Sequence, residues 1–322
     1  MPHILSLKIA KDLLKMLKIC EEWLHSCSGC EIAILNIGED LIGLLEELDL
    51  VHMPILTDHK FFGQKGQGSQ MDIPQADIGI VSGAVANEEH VEVLELMREK
   101  CRILIALGTC ATHGGIPALL NSWTMEEALD SIFHTWSTDD FQALPQDGVP
   151  AFLDRVYAVD ERVKVDIMVP GCPPNPYHIY DVLTTLLKNE TPVLPEKSVC
   201  DTCPTIRRGK GEVKKVRRFL ENATYDPNEP IYNMHCLLEQ GFMCMGPVTA
   251  AGCAHDGAPR CIFARVPCRG CFGPVRPDGN QMLDMMNALA SNGIDWKSVV
   301  DRRGLLRFSG AHGLLRPLTK RS

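Results

Sequence analysis

Two hydrophobic periodicities alternate along the first 190 residues. Between positions 31 and 48, apolar side chains recur at helical spacing (Ile34, Leu35, Leu41, Leu44, Leu45, Leu48) and predict one amphipathic helix. Residues 51–56 then form a short apolar run, read as a strand, and 77–82 (Asp-Ile-Gly-Ile-Val-Ser) has the unbroken apolar character of a strand buried on both faces. Residues 88–100 return to helical spacing behind Asn87, a residue type suited to the N-cap. Another buried strand follows at 102–107 and breaks at Gly108-Thr109-Cys110. A helix is expected at 125–134. A strand at 164–169 stops at Pro170-Gly171-Cys172-Pro173-Pro174, and a helix at 177–188 follows it. Strands alternating with helices define the α/β class with a parallel, doubly wound sheet.

After Pro195 the texture changes. Periodicity fades, and Gly, Pro and Cys become dense as far as Pro277. We therefore expect two domains, 1–195 and a smaller, irregular, Cys-rich 196–322. A segment so poor in regular core needs another source of folding energy, and metal ligation supplies it in small metallodomains. One more helix is expected within 280–298 (Met282, Met285, Met286, Leu289), and the basic tail from Arg302 should pack on the surface or on a partner.

Composition narrows the function. A chain of 322 residues with 45% hydrophobic and 23% charged residues is an ordinary globular protein of two-domain length. No apolar run approaches the roughly 18 residues of a membrane helix. The N-terminus carries no cleavable leader pattern, so the expected location is the cytoplasm, where clustered thiols bind metal rather than pair as disulfides. The net charge of −9 and the 6% aromatic content argue against nucleic acid as a partner.

Twelve of the 14 cysteines fall into sets of four. Cys27-Ser-Gly-Cys30, Cys110 and Cys172 make one set. The last two follow predicted strands, where ligands of open α/β sheets gather, and thioredoxin-like chemistry at the first pair would need neither. The other eight are Cys200, Cys203, Cys236, Cys244, Cys253, Cys261, Cys268 and Cys271, framed by two CxxC pairs. Four thiolates suit a structural zinc or a [4Fe–4S] cube, and spacing alone does not separate them. Three such sites in one chain point to a row of electron carriers. We group the eight as Cys200, Cys203, Cys236, Cys244 and as Cys253, Cys261, Cys268, Cys271. The remaining Cys20 and Cys101 read as small buried hydrophobes. Glycines 63, 66 and 68 lack the Gly-Lys-Ser/Thr of a phosphate loop and read as a plain loop. His113 and His235 adjoin ligand candidates, where they would either donate hydrogen bonds to a cluster or simply pack. Arg207, Arg208, Lys210, Lys214, Lys215, Arg217 and Arg218 form either a solvated insertion or a docking patch for an acidic electron-transfer partner.

The motifs Cys-Ser-Gly-Cys, Gly-Thr-Cys-Ala and Pro-Gly-Cys-Pro-Pro, with Cys244-Met-Gly-Pro-Val-Thr and Pro267-Cys-Arg-Gly-Cys-Phe-Gly-Pro274, resemble those of [NiFe]-hydrogenase small subunits over roughly residues 20 to 290. Within that family the resemblance is strongest to cytoplasmic small subunits such as that of methyl-viologen-reducing (F420-non-reducing) hydrogenase. The resemblance implies a flavodoxin-like first domain and three [4Fe–4S] clusters. It assigns Cys27, Cys30, Cys110 and Cys172 to the proximal cluster, Cys253, Cys261, Cys268 and Cys271 to the medial, and Cys200, Cys203, Cys236 and Cys244 to the distal. Cys200 stands where many relatives have His, and Cys261 where a three-iron medial cluster has Pro; both departures favour all-cysteine cubes. The implied partners are a large subunit bearing the nickel–iron site and a further iron–sulfur or flavin acceptor subunit. No flavin is expected in this chain, because cysteines take the strand ends where it would sit. Ser28 is expected to hydrogen-bond a large-subunit carboxylate on the proton route. The related quinone-reductase subunit of complex I would have adjacent cysteines in the first motif and lack the eight later ones. A zinc-braced scaffold protein is the alternative from another class.

Overall fold

The computed structural model describes residues 16–60, 71–135, 148–193, 195–218, 220, 223–255 and 258–318. The chain runs β1 (Leu17–Trp23), α1 (Gly29–Leu35), α2 (Asp40–Leu45), β2 (Leu48–His52), β3 (Ala76–Ser82), β4 (Val85–Asn87), α3 (Glu88–Lys100), β5 (Cys101–Leu107) and α4 (Gly108–His113). It continues α5 (Met125–Phe133), β6 (Phe152–Tyr157), β7 (Ile167–Val169), α6 (Pro176–Leu187), β8 (Ala254–His255), β9 (Ala258–Pro259), α7 (Arg260–Phe263) and α8 (Gln281–Ser291). Five strands form one parallel sheet in the order β2-β1-β3-β5-β7. Counting those five alone gives 2-1-3-4-5, the flavodoxin-like order. β4 and β6 form a separate antiparallel pair.

Each face of the sheet is covered. Ile19, Ile78, Ile80, Ile105 and Leu107 pack against Ala33 and Ile34 of α1 and against Ile179, Val182 and Leu183 of α6. On the other face Cys20, Val81, Leu104 and Ala106 meet Val93, Leu94 and Met97 of α3. This two-sided burial explains why β3 and β5 read as unbroken apolar runs.

Register is what positions the site. Trp23 pairs with Ser82, Ser82 with Leu107, and Leu107 with Val169. Four strands therefore end level with one another, and the segments bearing Cys27, Cys110 and Cys172 leave from one edge.

Several boundaries differ from the sequence reading. The helix expected over 31–48 is two short ones, broken at Asn36–Glu39, where Gly38 adopts φ +75° and stops the first helix. The strand expected at 51–56 is β2, which begins at Leu48 opposite Leu17 and ends before Met53-Pro54, where proline cannot donate to a ladder. The 164–169 strand shortens to β7. The 280–298 helix is α8, closed at Asn292-Gly293 by N–H donations from Asn292 to Ala288 O and from Ile294 to Leu289 O. β1, β4 and β6 have no clear period. β1 places two glutamates in the core, which hides its alternation. The glycines at 63, 66 and 68 lie outside the described residues.

From Glu196 to Pro277 the regular elements among the described residues are short, as the fading periodicity indicates. The basic tail folds back: Leu305, Leu306 and Leu315 are buried, Ala311 N–H donates to His113 O, and Arg303 donates to Ser122 O.

Glu21 is wholly buried on β1, beside Glu31 and Glu22. Burial, then the neighbouring carboxylates, pushes its pKa well above the ordinary value of 4.5, so the folded chain holds it protonated. The unfolded chain ionises it above pH 4.5, and stability falls as pH rises from there towards the folded pKa. Glu21→Gln removes this loss. Thermal unfolding of the two proteins as pH rises above 4.5 should show the variant's advantage widening, by at most about 1.4 kcal/mol per pH unit, until the folded pKa is reached. A pH-independent difference would refute the assignment.

Candidate metal centres

The level strand ends explain the first cysteine set. After β1 the chain crosses to α1 through His25, which bridges Ala84, and through Ser28, a non-glycine residue at φ 61°. This turn leaves Cys27 exposed and puts Cys30 in the first turn of α1, buried. After β5, Gly108 at φ +83° opens α4, and a Cβ there would run into Cys30 Sγ. Glycine is required on both counts. It lets α4 carry Cys110 alongside Cys30. Cys172 follows β7 at the exposed rim, with a cis peptide to Pro173.

The four sulfurs act on one another. Burial raises the Cys30 thiol above its ordinary range, and Glu31, Cys110, Cys27 and Cys172 raise it further. Cys110 is pushed up to about 12 by burial, then by Cys172 and Cys27. The buried thiols of Cys30 and Cys110 resist ionising without positive charge beside them. A multi-atom metal cluster would supply that charge, and a set of four cysteines fits one.

The eight later cysteines act on one another within each proposed set and across the boundary between the sets. Cys200 is raised to about 12 by burial, against the pull of Arg207 and with further push from Cys203 and Cys236. Cys244 is raised to about 12 by burial, N–H donations from Gly246 and Cys268 oppose the shift, and Cys200 and Cys236 add to it. A Cβ on Gly246 would stand 3.1 Å from Cys200 Sγ and 3.6 Å from Cys244 Sγ, which favours glycine between those two. Cys271 is raised to about 12, first by burial; the Cys172 backbone opposes this, and Cys261 and Cys253 add to it. Cys268 feels burial first, then Cys244, Cys261 and Cys271. Among the described residues, no group of three or more His, Cys, Asp or Glu side chains closes tightly around a single-ion position.

The sets adjoin in a definite order. The charge of Cys172 acts on the Cys271 thiol, which sets the first set beside the 253/261/268/271 set. Cys268 N–H donates to Cys244 Sγ at 3.3 Å, joining that set to 200/203/236/244. Thr109 braces the first junction: its N–H donates to Gly171 O at 2.9 Å, its Oγ1 accepts from Gly171 N at 2.9 Å, and its hydroxyl donates to Cys271 O. Gln281 braces the second, reaching the backbone on both sides of Cys271. The sequence displays Thr109 inside a motif but not its role. Gln281 has no signal beyond following an N-cap asparagine.

His113, half-buried at the end of α4 with its ring against Gly273, pairs Nδ1 with Thr112 Oγ1, and desolvation lowers its pKa to about 4, so it is neutral. His235 Nε2 lies 3.0 Å from Glu239 Oε2. Burial opposes ionisation of Glu239, but donations from Arg208 N–H, Gly209 N–H and His235 outweigh it and hold the pKa below the usual range. Cys20 and Cys101 lie together in the core on β1 and β5; a hydrogen bond to Cys101, with burial, keeps the Cys20 thiol protonated. Exposed Ile32, Leu35, Ile42 and Leu45 form an apolar face on α1 and α2, the elements that follow Cys27.

A flavodoxin-like parallel sheet with four cysteines gathered at its carboxyl edge, and eight more beyond it, defines an α/β chain built around grouped thiols. The family described as NADH ubiquinone oxidoreductase, 20 Kd subunit, matches residues 27–186, which hold the first cysteine set only. A subunit of the F420-non-reducing hydrogenase vhu of Methanocaldococcus jannaschii is 36% identical over 292 residues, covering 90% of this chain and 92% of the relative. A subunit of the F420-non-reducing hydrogenase of Methanothermobacter marburgensis is 33% identical, covering 86% of this chain and 84% of the relative. Among solved structures, a chain of an NAD+-reducing [NiFe]-hydrogenase in the H2-reduced state superposes with TM-score 0.51 at 33% identity, over 56% of this chain and 96% of that one. The chain belongs to the small-subunit family of [NiFe] hydrogenases. No helix among the described residues is long and apolar enough to cross a membrane.

Proposed function

We propose that this chain is the electron-relay subunit of a cytoplasmic [NiFe] hydrogenase. It would hold three [4Fe–4S] clusters: proximal on Cys27, Cys30, Cys110 and Cys172, medial on Cys253, Cys261, Cys268 and Cys271, and distal on Cys200, Cys203, Cys236 and Cys244. The observation that carries the reading is the serial placement of the three thiol sets, first beside second where Thr109 ties Gly171 to Cys271, second to third through Cys268 and Cys244. When bound, each cluster supplies a one-electron carrier, so that electrons from H2 split in a large subunit would leave towards a further redox subunit.

The chain's own residues do the rest. Buried Cys30, Cys110, Cys244 and Cys268 keep water from the sulfurs, and the N–H of Cys268 donates to Cys244 Sγ across the second junction. Exposed Cys27 and Cys172 mark the side open to a partner, and the apolar face of Ile32, Leu35, Ile42 and Leu45 supports a large subunit there. We read residues 1–195 as the domain of the proximal site and 196–322 as that of the other two, with the tail clasping them together.

The test is anaerobic co-purification with a tagged chain, metal analysis and EPR of the reduced sample. Expected are about twelve irons per chain, cubane signals and a nickel-bearing partner. Four irons with eight free thiols would favour the complex I-like reading. A colourless protein with stoichiometric zinc would leave a structural metalloprotein.

A further inference from the structure

Of the 32 Lys and Arg and the 41 Asp and Glu in this acidic chain, seven cations and one anion fall in the thirteen residues 206–218. All seven cations, Arg207, Arg208, Lys210, Lys214, Lys215, Arg217 and Arg218, are exposed. A mere solvated insertion would be loosely held. This one is tied down at both ends: Ile206 N–H donates to Met234 O and Ile206 O accepts from Cys236 N–H, both at 2.9 Å. The N–H groups of Arg208 and Gly209 donate to the buried Glu239 carboxylate at 2.7 and 3.0 Å. Further on, Lys214 O accepts from Asp295 N–H at 2.8 Å, Val216 N–H donates to Ser298 Oγ at 2.9 Å, and Arg217 N–H donates to Gly241 O at 2.8 Å.

The strap also begins at the distal site. Its first residues follow Cys203 closely, the Arg207 guanidinium donates to Cys200 O, and Ile206 pairs beside Cys236. Exposed Ile206 and Tyr232 provide apolar surface on the same strap-and-turn unit, bordering the cluster of Met234, Leu237, Phe242 and Ile262. Apolar side chains on the same unit as a backbone-anchored run of like charges, beside the proposed electron exit, have the anatomy of a transient redox interface.

We propose that the 206–218 strap is the docking surface for an acidic protein electron acceptor, which it orients over the Cys200/Cys203/Cys236/Cys244 site. The proposal rests on the relay reading above. Its consequence is kinetic: fixed positive heads raise the encounter rate with an acidic partner, and do so less as salt rises. Each H2 yields two protons and two electrons, which reduce two one-electron acceptors.

The experiment uses the assembled enzyme, H2 as donor and an acidic bacterial-type ferredoxin as the probe. Lys210→Glu, Lys214→Glu and Lys215→Glu are combined, since none of these heads touches a cysteine. At about 0.05 M salt the triple variant should raise KM for ferredoxin about tenfold, with hydrogen–deuterium exchange unchanged. The corresponding Lys→Gln triple should fall between, and about 0.3 M salt should shrink the difference to within about twofold. An unchanged KM in the charge-reversed enzyme overturns the docking proposal and leaves the relay intact. If H2 reduces neither ferredoxin nor a viologen dye in the iron-loaded unaltered assembly, the relay reading itself fails, and the docking proposal with it. If the unaltered assembly is retained by duplex DNA or phosphatidylglycerol vesicles, and the variant loses that retention at constant KM, the strap serves a polyanion and the proposal is wrong.

Discussion

Cys110→Ala in the assembled enzyme should lower H2-dependent acceptor reduction by more than about 100-fold, exceeding the usual cost of losing an outer partner of a metal ligand. Cys110 is buried on α4 among the sulfurs of Cys30, Cys27 and Cys172. Under the proposed relay, its loss leaves the first set one thiolate short. About four irons per chain should be lost or bound only weakly, while the large subunit keeps its hydrogen–deuterium exchange, since the relay and not the H2 site is cut. Cys20→Ala is the matched control, being equally buried but packed on Cys101 in the opposite face of the sheet. That variant should keep its iron and stay within about twofold of the parent activity, with only the modest stability cost of a small core truncation. Iron analysis and paired assays decide the matter. Full activity in the Cys110 variant, or loss of iron in the Cys20 variant, would show that the cysteines have been sorted wrongly.

The proposed sorting draws mostly on sequence, because ligand sets announce themselves locally. Cys-Ser-Gly-Cys and Cys-Arg-Gly-Cys are short spacings, and Cys110 and Cys172 each close a run readable as a strand. The level ends of β1, β3, β5 and β7 then bring the first set to one edge. β1 is hidden for a physical reason. Its Glu21 and Glu22 are buried, so a core strand carries the polarity of a surface one. The single helix expected over 31–48 fails for the opposite reason: the apolar spacing continues through a break set by backbone conformation at Gly38, to which a periodicity count is blind. The junctions are the least legible part. Thr109 reaches loops 62 and 162 residues away and Gln281 loops about 10 to 30 residues away, contacts that no local pattern encodes.

Gln281 offers the sharpest test of how those junctions hold the later cysteines. It is 1% exposed, at the start of α8. Its amide nitrogen lies 3.4 Å from Val248 O, 3.2 Å from Thr249 Oγ1, 3.2 Å from Gly270 O and 3.1 Å from Gly273 O, and its Oε1 accepts from Ser309 Oγ at 2.8 Å. An amide has two N–H donors, so these four oxygens share them. One side chain thereby fixes the loop after Cys244, the loop containing Cys268 and Cys271, and the folded-back tail. Gln281→Leu keeps the volume and removes the polar atoms, leaving buried acceptors unpaired at a cost of about 3 kcal/mol, or roughly 5–10 °C in Tm. A purely structural brace would show only that. As a positioning residue, Gln281 should also change the reduced-state EPR signals of the medial and distal sites and shift at least one midpoint potential, with the proximal site unaltered. Gln281→Glu presents a carboxylate to four oxygen acceptors and should be worse than leucine in every one of these measurements. If the leucine variant keeps the parent spectra and potentials while losing stability, Gln281 braces the fold without tuning its clusters.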